Sequence, residues 1–482
     1  MVEMGTFVAI LLGSLAGGLL IALPGVGARY VAAACFGVAL LGRWTAQQVP
    51  QSPATDPGLQ INWNPVSETW RNLLLARQDI VVFRSLLGIS WMWFFGAVFL
   101  ANFPAFAKTV LHGDEHVASL LLVVFSVGIG TGSLLCEVFS RRHVEIGLVP
   151  AGAIGMSVFA IDLYFASRGL PPAAVAQGVG HFLAQPAHWR VIADLGLLAL
   201  CTGLYSVPMY ALIQLRSQPS HRARIIAANN ILNALFMIVS SVGAGALLGA
   251  GFTVPEVFLA TALLNVVVGL YIFLLVPEYL LRFAAFLLSR CLYRFRVVGD
   301  EHLPVSGAAI VVCNHVSYVD ALLLMAASPR PMRFIMDHRI FEVPVLGWLF
   351  RLAKAIPIAP QAEDPQAYAA AFEAADSVLA DGDLLCIFPE GGITRDGKLQ
   401  PFKPGVMKIL ARRPVPVVPV ALQNLWGSYF SRIEGGSAML RPLRRGWFSR
   451  VGLAAGPALA PERVTTDLLH RQVQALALAA AQ

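Results

Sequence analysis

A histidine five residues ahead of an aspartate, where an apolar run gives way to a helix, has the spacing of an acid–base pair. In VVCNHVSYVDALLL, residues 311–324, the pair is His315 and Asp320. An aspartate in a first helical turn is held in place and can accept the Nδ1–H of a histidine just upstream, leaving Nε2 as a general base. The same letters support a plainer reading. Ser317-x-x-Asp320 before an apolar run is a capping-box-like helix start, in which the carboxylate satisfies orphan helix amides. The two readings are compatible, because a capping carboxylate is a fixed one.

A second constellation lies in FPEGGITRDGKLQPFKPG, residues 388–405. A strand-like run, LLCIF, delivers Glu390 beside Gly391 and Gly392, and Arg395, Lys398 and Lys403 follow in a loop too rich in Gly and Pro to be helical. Small residues let backbone amides approach a ligand, and the cations suit a phosphate. Between the two constellations, the apolar stretch GWLFRLAKAIPIAP, residues 347–360, carries Arg351 and Lys354, either of which is a surface charge or a pocket residue. The six cysteines are scattered and never form C-x-x-C, which predicts small core residues and neither a disulfide framework nor a zinc site.

These residues must be positioned by an α/β domain. Short β-like runs (308–313, 384–388, 415–422) alternate with helical ones (319–327, 367–380, 405–413), and His315 and Glu390 each follow a buried-strand pattern, as residues at a carboxyl-end crevice do.

The rest of the chain is of another kind. Hydrophobic residues make up 57%, charged residues 13%, and the mean hydropathy is +0.68. Residues 1–276 hold 13 Lys and Arg against 11 Asp and Glu; residues 277–482 hold 22 against 17, a net +5 that suggests anionic headgroups or phosphate-bearing substrates. Eight segments are apolar enough to span a bilayer: 5–22, 25–42, 87–107, 117–139, 147–167, 191–213, 225–250 and 256–276. No cleavable signal peptide is evident, since the first apolar stretch lacks a basic start and a second span follows at once. Nine arginines in loops 43–86, 140–146 and 214–224, against four cations in the other loops, predict that both termini face the cytoplasm. The expected organisation is two transmembrane helices in 1–42, a cytoplasmic linker loop in 43–86, six spans in 87–276, a basic interfacial helix in 277–295 and a soluble domain in 296–482. Asp162, Asp194 and Glu137 are ionisable residues near span ends, where interfacial placement costs little.

N-H-x-x-x-x-D, an apolar segment ending in IPI, then F-P-E-G, then the strand VPVVPVAL, in that order over about residues 295–460, resembles the PlsC-type glycerolipid acyltransferase family. The membrane region, with its 141–143 RRH and 222–233 RARIIAANNILN runs, resembles the lysophospholipid-transporter branch of the major facilitator superfamily with an incomplete N-terminal half. Joined, they are similar to the transporter–acyltransferase fusions related to 2-acylglycerophosphoethanolamine acyltransferase. The resemblance implies that His315 is the general base, that Asp320 orients it, and that Glu390, Gly391 and the nearby cations bind a glycerol-phosphate moiety. The family's F-P-E-G-T-R-S is FPEGGITRDG here, so its arginine falls two places late, at Arg395; Arg351 and Lys354 both fit the second motif's basic position.

The function so implied is a membrane-bound O-acyltransferase carrying a fatty acyl group from acyl-CoA or acyl carrier protein to a lysophospholipid or 1-acylglycerol-3-phosphate. A thioester is already activated, so His–Asp base catalysis suffices, and neither cofactor nor metal is expected. No adenylate-forming loop is evident, so the donor arrives preactivated. Expected partners are membrane lipids and the two substrates, not nucleic acid, and the expected location is the inner (cytoplasmic) membrane with the acyltransferase domain inside. The alternative is a lysophospholipid transporter with an accessory acyltransferase domain. The incomplete half counts against transport, which needs two repeats rocking about a central site.

Overall fold

The structure, a computed structural model, describes the chain apart from residues 1–4, 6–8, 10–11, 14–15, 21–22, 51–61, 141–143, 171–174, 429, 432–447 and 480–482. It divides into two compact units, Met1–Leu274 and Leu275–Gln482.

In the first unit six helices among the described residues are long and apolar enough to cross a membrane: Ile80–Thr109, Glu115–Phe139, Leu148–Ala166, Ala187–Arg216, Arg222–Gly249 and Val254–Leu275. They match the last six of the eight expected spans. The segment expected at 25–42 forms a helix, Gly27–Ala46, whose Arg29 and Arg43 dilute its apolar character. The one expected at 5–22 lies largely outside the described residues, as does the RRH run at 141–143. Part of the expected loop 43–86 is instead a helix, Pro65–Arg77. Asn64 caps it by accepting from the amides of Val66 and Ser67, and Pro65 occupies the first position, where its missing N–H costs nothing. Helices 115–140 and 187–216 cross backbone against backbone: a Cβ at Gly132 would strike the Leu200 carbonyl, and one at Gly203 the Ile129 carbonyl. Asp162 pairs with Arg190, and Asp194 is buried.

The second unit is an α/β domain around a seven-stranded sheet. Its strands are β1 (Tyr293–Val298), β2 (Ala309–Cys313), β3 (Met332–Asp337), β4 (Ile356–Ile358), β5 (Leu384–Ile387), β6 (Val417–Gln423) and β7 (Ser449–Ala455). The order is β1-β7-β6-β2-β5-β3-β4, parallel throughout except for the antiparallel pair β6–β7. β2 is central and buried at every residue, which is why AIVVC reads as an unbroken apolar run rather than an alternating one. Its side chains divide between two cores. Ala309, Val311 and Cys313 join one with Cys386 of β5, and Ile310 and Val312 join the other with Ala371, Phe372 and Ala375 of helix Pro365–Ala380. Cys136, Cys201, Cys313 and Cys386 are buried, as expected of core residues, whereas Cys35 and Cys291 are exposed, against that expectation.

Helix Pro277–Leu292 belongs to this unit. It ends three residues before the boundary expected for the interfacial helix, because Tyr293 opens β1. Buried polar contacts seat it. Arg282 Nη1 donates to the Ser328 carbonyl at 2.6 Å, and Glu278 Oε1 accepts from Lys354 Nζ at 2.9 Å and from Arg333 Nη2 at 3.4 Å.

Candidate active site

β2 and β5 are parallel neighbours with Val312 opposite Ile387, so both carboxyl ends stop at the same level. His315 lies three residues past Val312 and Glu390 three past Ile387, and this equal overhang brings the two sequence motifs together.

His315 Nδ1 lies 2.7 Å from Asp320 Oδ2. The same oxygen accepts from the backbone amides of Val316 at 2.6 Å and Ser317 at 3.0 Å. Asp320 is the first residue of helix Asp320–Ala327, but its carboxylate turns back onto the loop and caps no amide of the helix. The capping-box expectation is thereby corrected: the N-cap position is Val319, no side chain caps the helix, and the Asp320 carboxylate serves the loop that carries His315. Among the described residues no Lys or Arg pairs with Asp320, whose Oδ1 is buried without a hydrogen-bond partner. With the Asp320 side chain 1% exposed and that of His315 22%, the charge sits behind the imidazole and the ring faces outward. The carboxylate holds a proton on Nδ1 and leaves Nε2 as the basic nitrogen. Phe388 stacks on the imidazole, ring centroids 4.3 Å apart at 17°, and fixes its plane.

Glu390 is placed differently from the expectation of a substrate ligand. Its Oε1 accepts from the His315 amide at 2.7 Å and its Oε2 from the Gln400 amide at 2.7 Å, so both oxygens are engaged by backbone. Burial pushes its carboxyl above the usual value, opposed by these two amides. Gly391, at φ +72°, has the left-handed backbone that glycine adopts without strain, and a Cβ there would run into the Lys403 side chain. Thr394 closes the loop from beneath: its amide donates to the His315 carbonyl at 2.9 Å and its hydroxyl to the Lys398 carbonyl at 2.8 Å.

His315 opens onto a cavity of about 570 Å³ lined mostly by apolar side chains, among them Ile335, Ile358, Ala371, Phe372 and Ile409. Of the cations proposed from sequence, Lys403 lines it. Arg395 and Lys398 are exposed on the same loop outside the lining. Arg351 donates to the Phe341 carbonyl at 3.0 Å and Lys354 to Glu278, and neither lines the cavity. Sequence reasoning missed Lys408, which lines the cavity and donates to the Tyr368 hydroxyl at 3.0 Å. The signal was available, since Lys408 sits one helical turn into the helix that Pro404 and Gly405 begin. It also missed Asn314, whose amide bridges β2 to β6 by accepting from the Leu422 amide at 2.7 Å and donating to its carbonyl at 3.1 Å. Among the described residues no cluster of three or more His, Cys, Asp or Glu is gathered to hold a metal.

Residues 294–423 match the family model described as Acyltransferase, and they span both motifs and strands β2 to β6. A chloroplastic 1-acyl-sn-glycerol-3-phosphate acyltransferase of Brassica napus is 33% identical over 133 residues, covering 27% of this chain and 38% of that protein. A 1-acyl-sn-glycerol-3-phosphate acyltransferase of Chlamydomonas reinhardtii is 30% identical over 186 residues, covering 38% and 52%. The crystal structure of the 1-acyl-sn-glycerophosphate acyltransferase PlsC from Thermotoga maritima aligns at 23% identity with a TM-score of 0.32, over 42% of this chain and 78% of that one. The chain spans between about a third and about half of the length of the curated relatives it matches. Residues 294–423, in the second unit, thus match an acyltransferase domain.

Proposed function

We propose that the chain is a membrane-bound O-acyltransferase that moves a fatty acyl group from a thioester, acyl-CoA or acyl carrier protein, to the free hydroxyl of a lysophosphatidate or lysophospholipid. The observation that carries this reading is the outward face of His315, backed by buried Asp320, opening onto a largely apolar cavity whose lining includes Lys403 and Lys408.

The chemistry follows from those groups. Nε2 of His315 takes the proton of the acceptor hydroxyl as its oxygen attacks the thioester carbonyl. The Asp320 charge stabilises the imidazolium that forms. The tetrahedral intermediate collapses with cleavage of the C–S bond, and the imidazolium returns its proton to the departing thiolate. Base catalysis of this kind supplies about 10²–10⁴-fold, and fixed orientation of the substrates supplies more. The apolar lining takes the acyl chain, and Lys403 and Lys408 take the acceptor's phosphate.

The helical unit serves as an anchor in the cytoplasmic membrane, and its arginine distribution supports a catalytic domain on the cytoplasmic side. Its likeness to half of a major-facilitator transporter rests on the sequence runs given above. The relatives are named for acylating 1-acylglycerol-3-phosphate, which makes lysophosphatidate the first acceptor to try. The test is to reconstitute the full chain in vesicles with a radiolabelled acyl thioester and compare lysophosphatidate with lysophospholipids of other headgroups. Labelled diacyl product is expected, and none from any acceptor would refute the reading.

A further inference from the structure

A stretch of the second unit outside the cavity lining has a surface that a water-exposed domain does not ordinarily display. Val343, Val345, Leu346 and Trp348 are 44%, 74%, 44% and 58% exposed, and Pro344 between them is exposed as well. Large apolar side chains scattered singly need no explanation, but four within six residues make a patch.

The backbone is built to present them. Val345 has φ +68° and ψ −54°, and the Leu346 amide donates across it to the Pro344 carbonyl at 2.8 Å. That is a γ-turn of the rarer, strained hand, occupied by a β-branched residue, which persists only where the surroundings impose it. They do so here. The Gly347 amide donates to the Val343 carbonyl at 2.8 Å, and Gly347 lies so close to the Phe341 carbonyl that a Cβ would collide with it. The turn is therefore clamped with its apolar side chains outward.

Charge and location complete the pattern. Arg351, exposed one helical turn beyond Gly347, pairs with no carboxylate among the described residues; its bond is to the Phe341 carbonyl. Ile340, three residues before the patch, lines the cavity. Lys354, just after it, is held by Glu278, which follows the last long apolar helix by three residues of chain.

We infer that Val343–Trp348 is a membrane-contacting surface, which enters the headgroup–acyl boundary of a bilayer with Arg351 at the level of anionic lipid phosphates. A Trp with aliphatic neighbours and a flanking Arg is the composition that partitions there, the ring at the headgroup level and the guanidinium reaching phosphate. A patch beside the cavity shortens the path by which a lipid-borne substrate leaves the bilayer. The inference stands on this surface and is independent of the transfer chemistry.

The experiment uses the full chain with Cys35→Ser and Cys291→Ser, the environment-sensitive dye NBD attached at Val345→Cys or, separately, at Trp348→Cys, and a control at exposed Asp381→Cys. Each protein is reconstituted in phosphatidylcholine vesicles with and without phosphatidylglycerol, containing lipids spin-labelled high on the acyl chain. The expected result is blue-shifted emission and quenching at both patch positions, stronger with phosphatidylglycerol, and water-like unquenched emission at the control. Water-like emission at both patch positions would overturn the inference. So would a blue shift without lipid quenching, which would mean that protein covers the patch, or equal quenching at the control. Quenching indifferent to phosphatidylglycerol would overturn the role given to Arg351.

Discussion

The backbone amide of His315 donates to Glu390 Oε1 at 2.7 Å, joining two motifs that lie 75 residues apart in sequence. With its second oxygen on the Gln400 amide, Glu390 holds the loop of each motif by its main chain. These contacts make positioning its expected role. Glu390→Ala leaves two amides without their acceptor, each costing about 1–3 kcal/mol where water cannot replace it. The expected outcome is a lower thermal midpoint together with a fall in kcat larger than any rise in KM for the acceptor. A rise in KM alone would return Glu390 to the role of substrate ligand.

The protonation of Glu390 gives a pH dependence of known sign. Burial raises its carboxyl in the folded state, so between the ordinary value near 4.5 and the raised one the native protein binds the extra proton. The contribution of this group to stability is therefore fully present below the ordinary value and is lost as pH rises through the raised one. Glu390→Gln abolishes that slope. Melting of the wild type and the variant in micelles across this interval should show the wild type losing ground relative to the variant as pH increases, and parallel curves would contradict it.

The cations divide by position. Lys403 and Lys408 line the cavity, whereas Arg395 and Lys398 project from the loop outside it. Lys403→Ala and Lys408→Ala should each raise KM for lysophosphatidate by about 10- to 150-fold, as loss of a charge-assisted hydrogen bond of roughly 1.5–3 kcal/mol implies. Arg395→Ala and Lys398→Ala should change it little. The order of the four KM values is the check.

Phe372 and Ala371, on helix Pro365–Ala380, form part of the cavity wall. Phe372→Ala deepens the space and should shift preference toward longer acyl chains. Ala371→Phe fills it and should shift preference toward shorter ones. Competition between donors of different length measures the shift in either direction.

Much of the site was legible because its residues are local to strand ends. An unbroken apolar run such as AIVVC announces a strand buried on both faces, and a polar residue just past its end sits at the carboxyl end of the sheet. The partner of each such residue is set by strand pairing, which a single sequence does not display. Glu390 looked like a ligand because nothing in FPEGG reveals that β5 lies against β2 in equal register. Lys354 and Arg351 were drawn toward the pocket for the same reason; their partners, Glu278 and the Phe341 carbonyl, come from other elements. The capping signature at Ser317-x-x-Asp320 misled because a carboxylate at a helix start can turn toward the preceding loop as well as toward the helix. β1 and β4 are the edge strands, and β3 and β7 carry polar or small residues (Arg333 and Asp337; Ser449, Arg450 and Gly452) that break up the apolar run, so none of the four reads as an unbroken buried strand.

The geometry of His315 and Asp320 makes the central claim testable in one comparison. Wild-type full chain and His315→Ala, each reconstituted in vesicles and checked for equal membrane incorporation, are given a labelled acyl thioester and lysophosphatidate, with Asp320→Asn alongside. The account predicts that transfer falls by about 10²–10⁴-fold in His315→Ala and substantially in Asp320→Asn, with KM for the donor unchanged. Transfer by His315→Ala at the wild-type rate would contradict it.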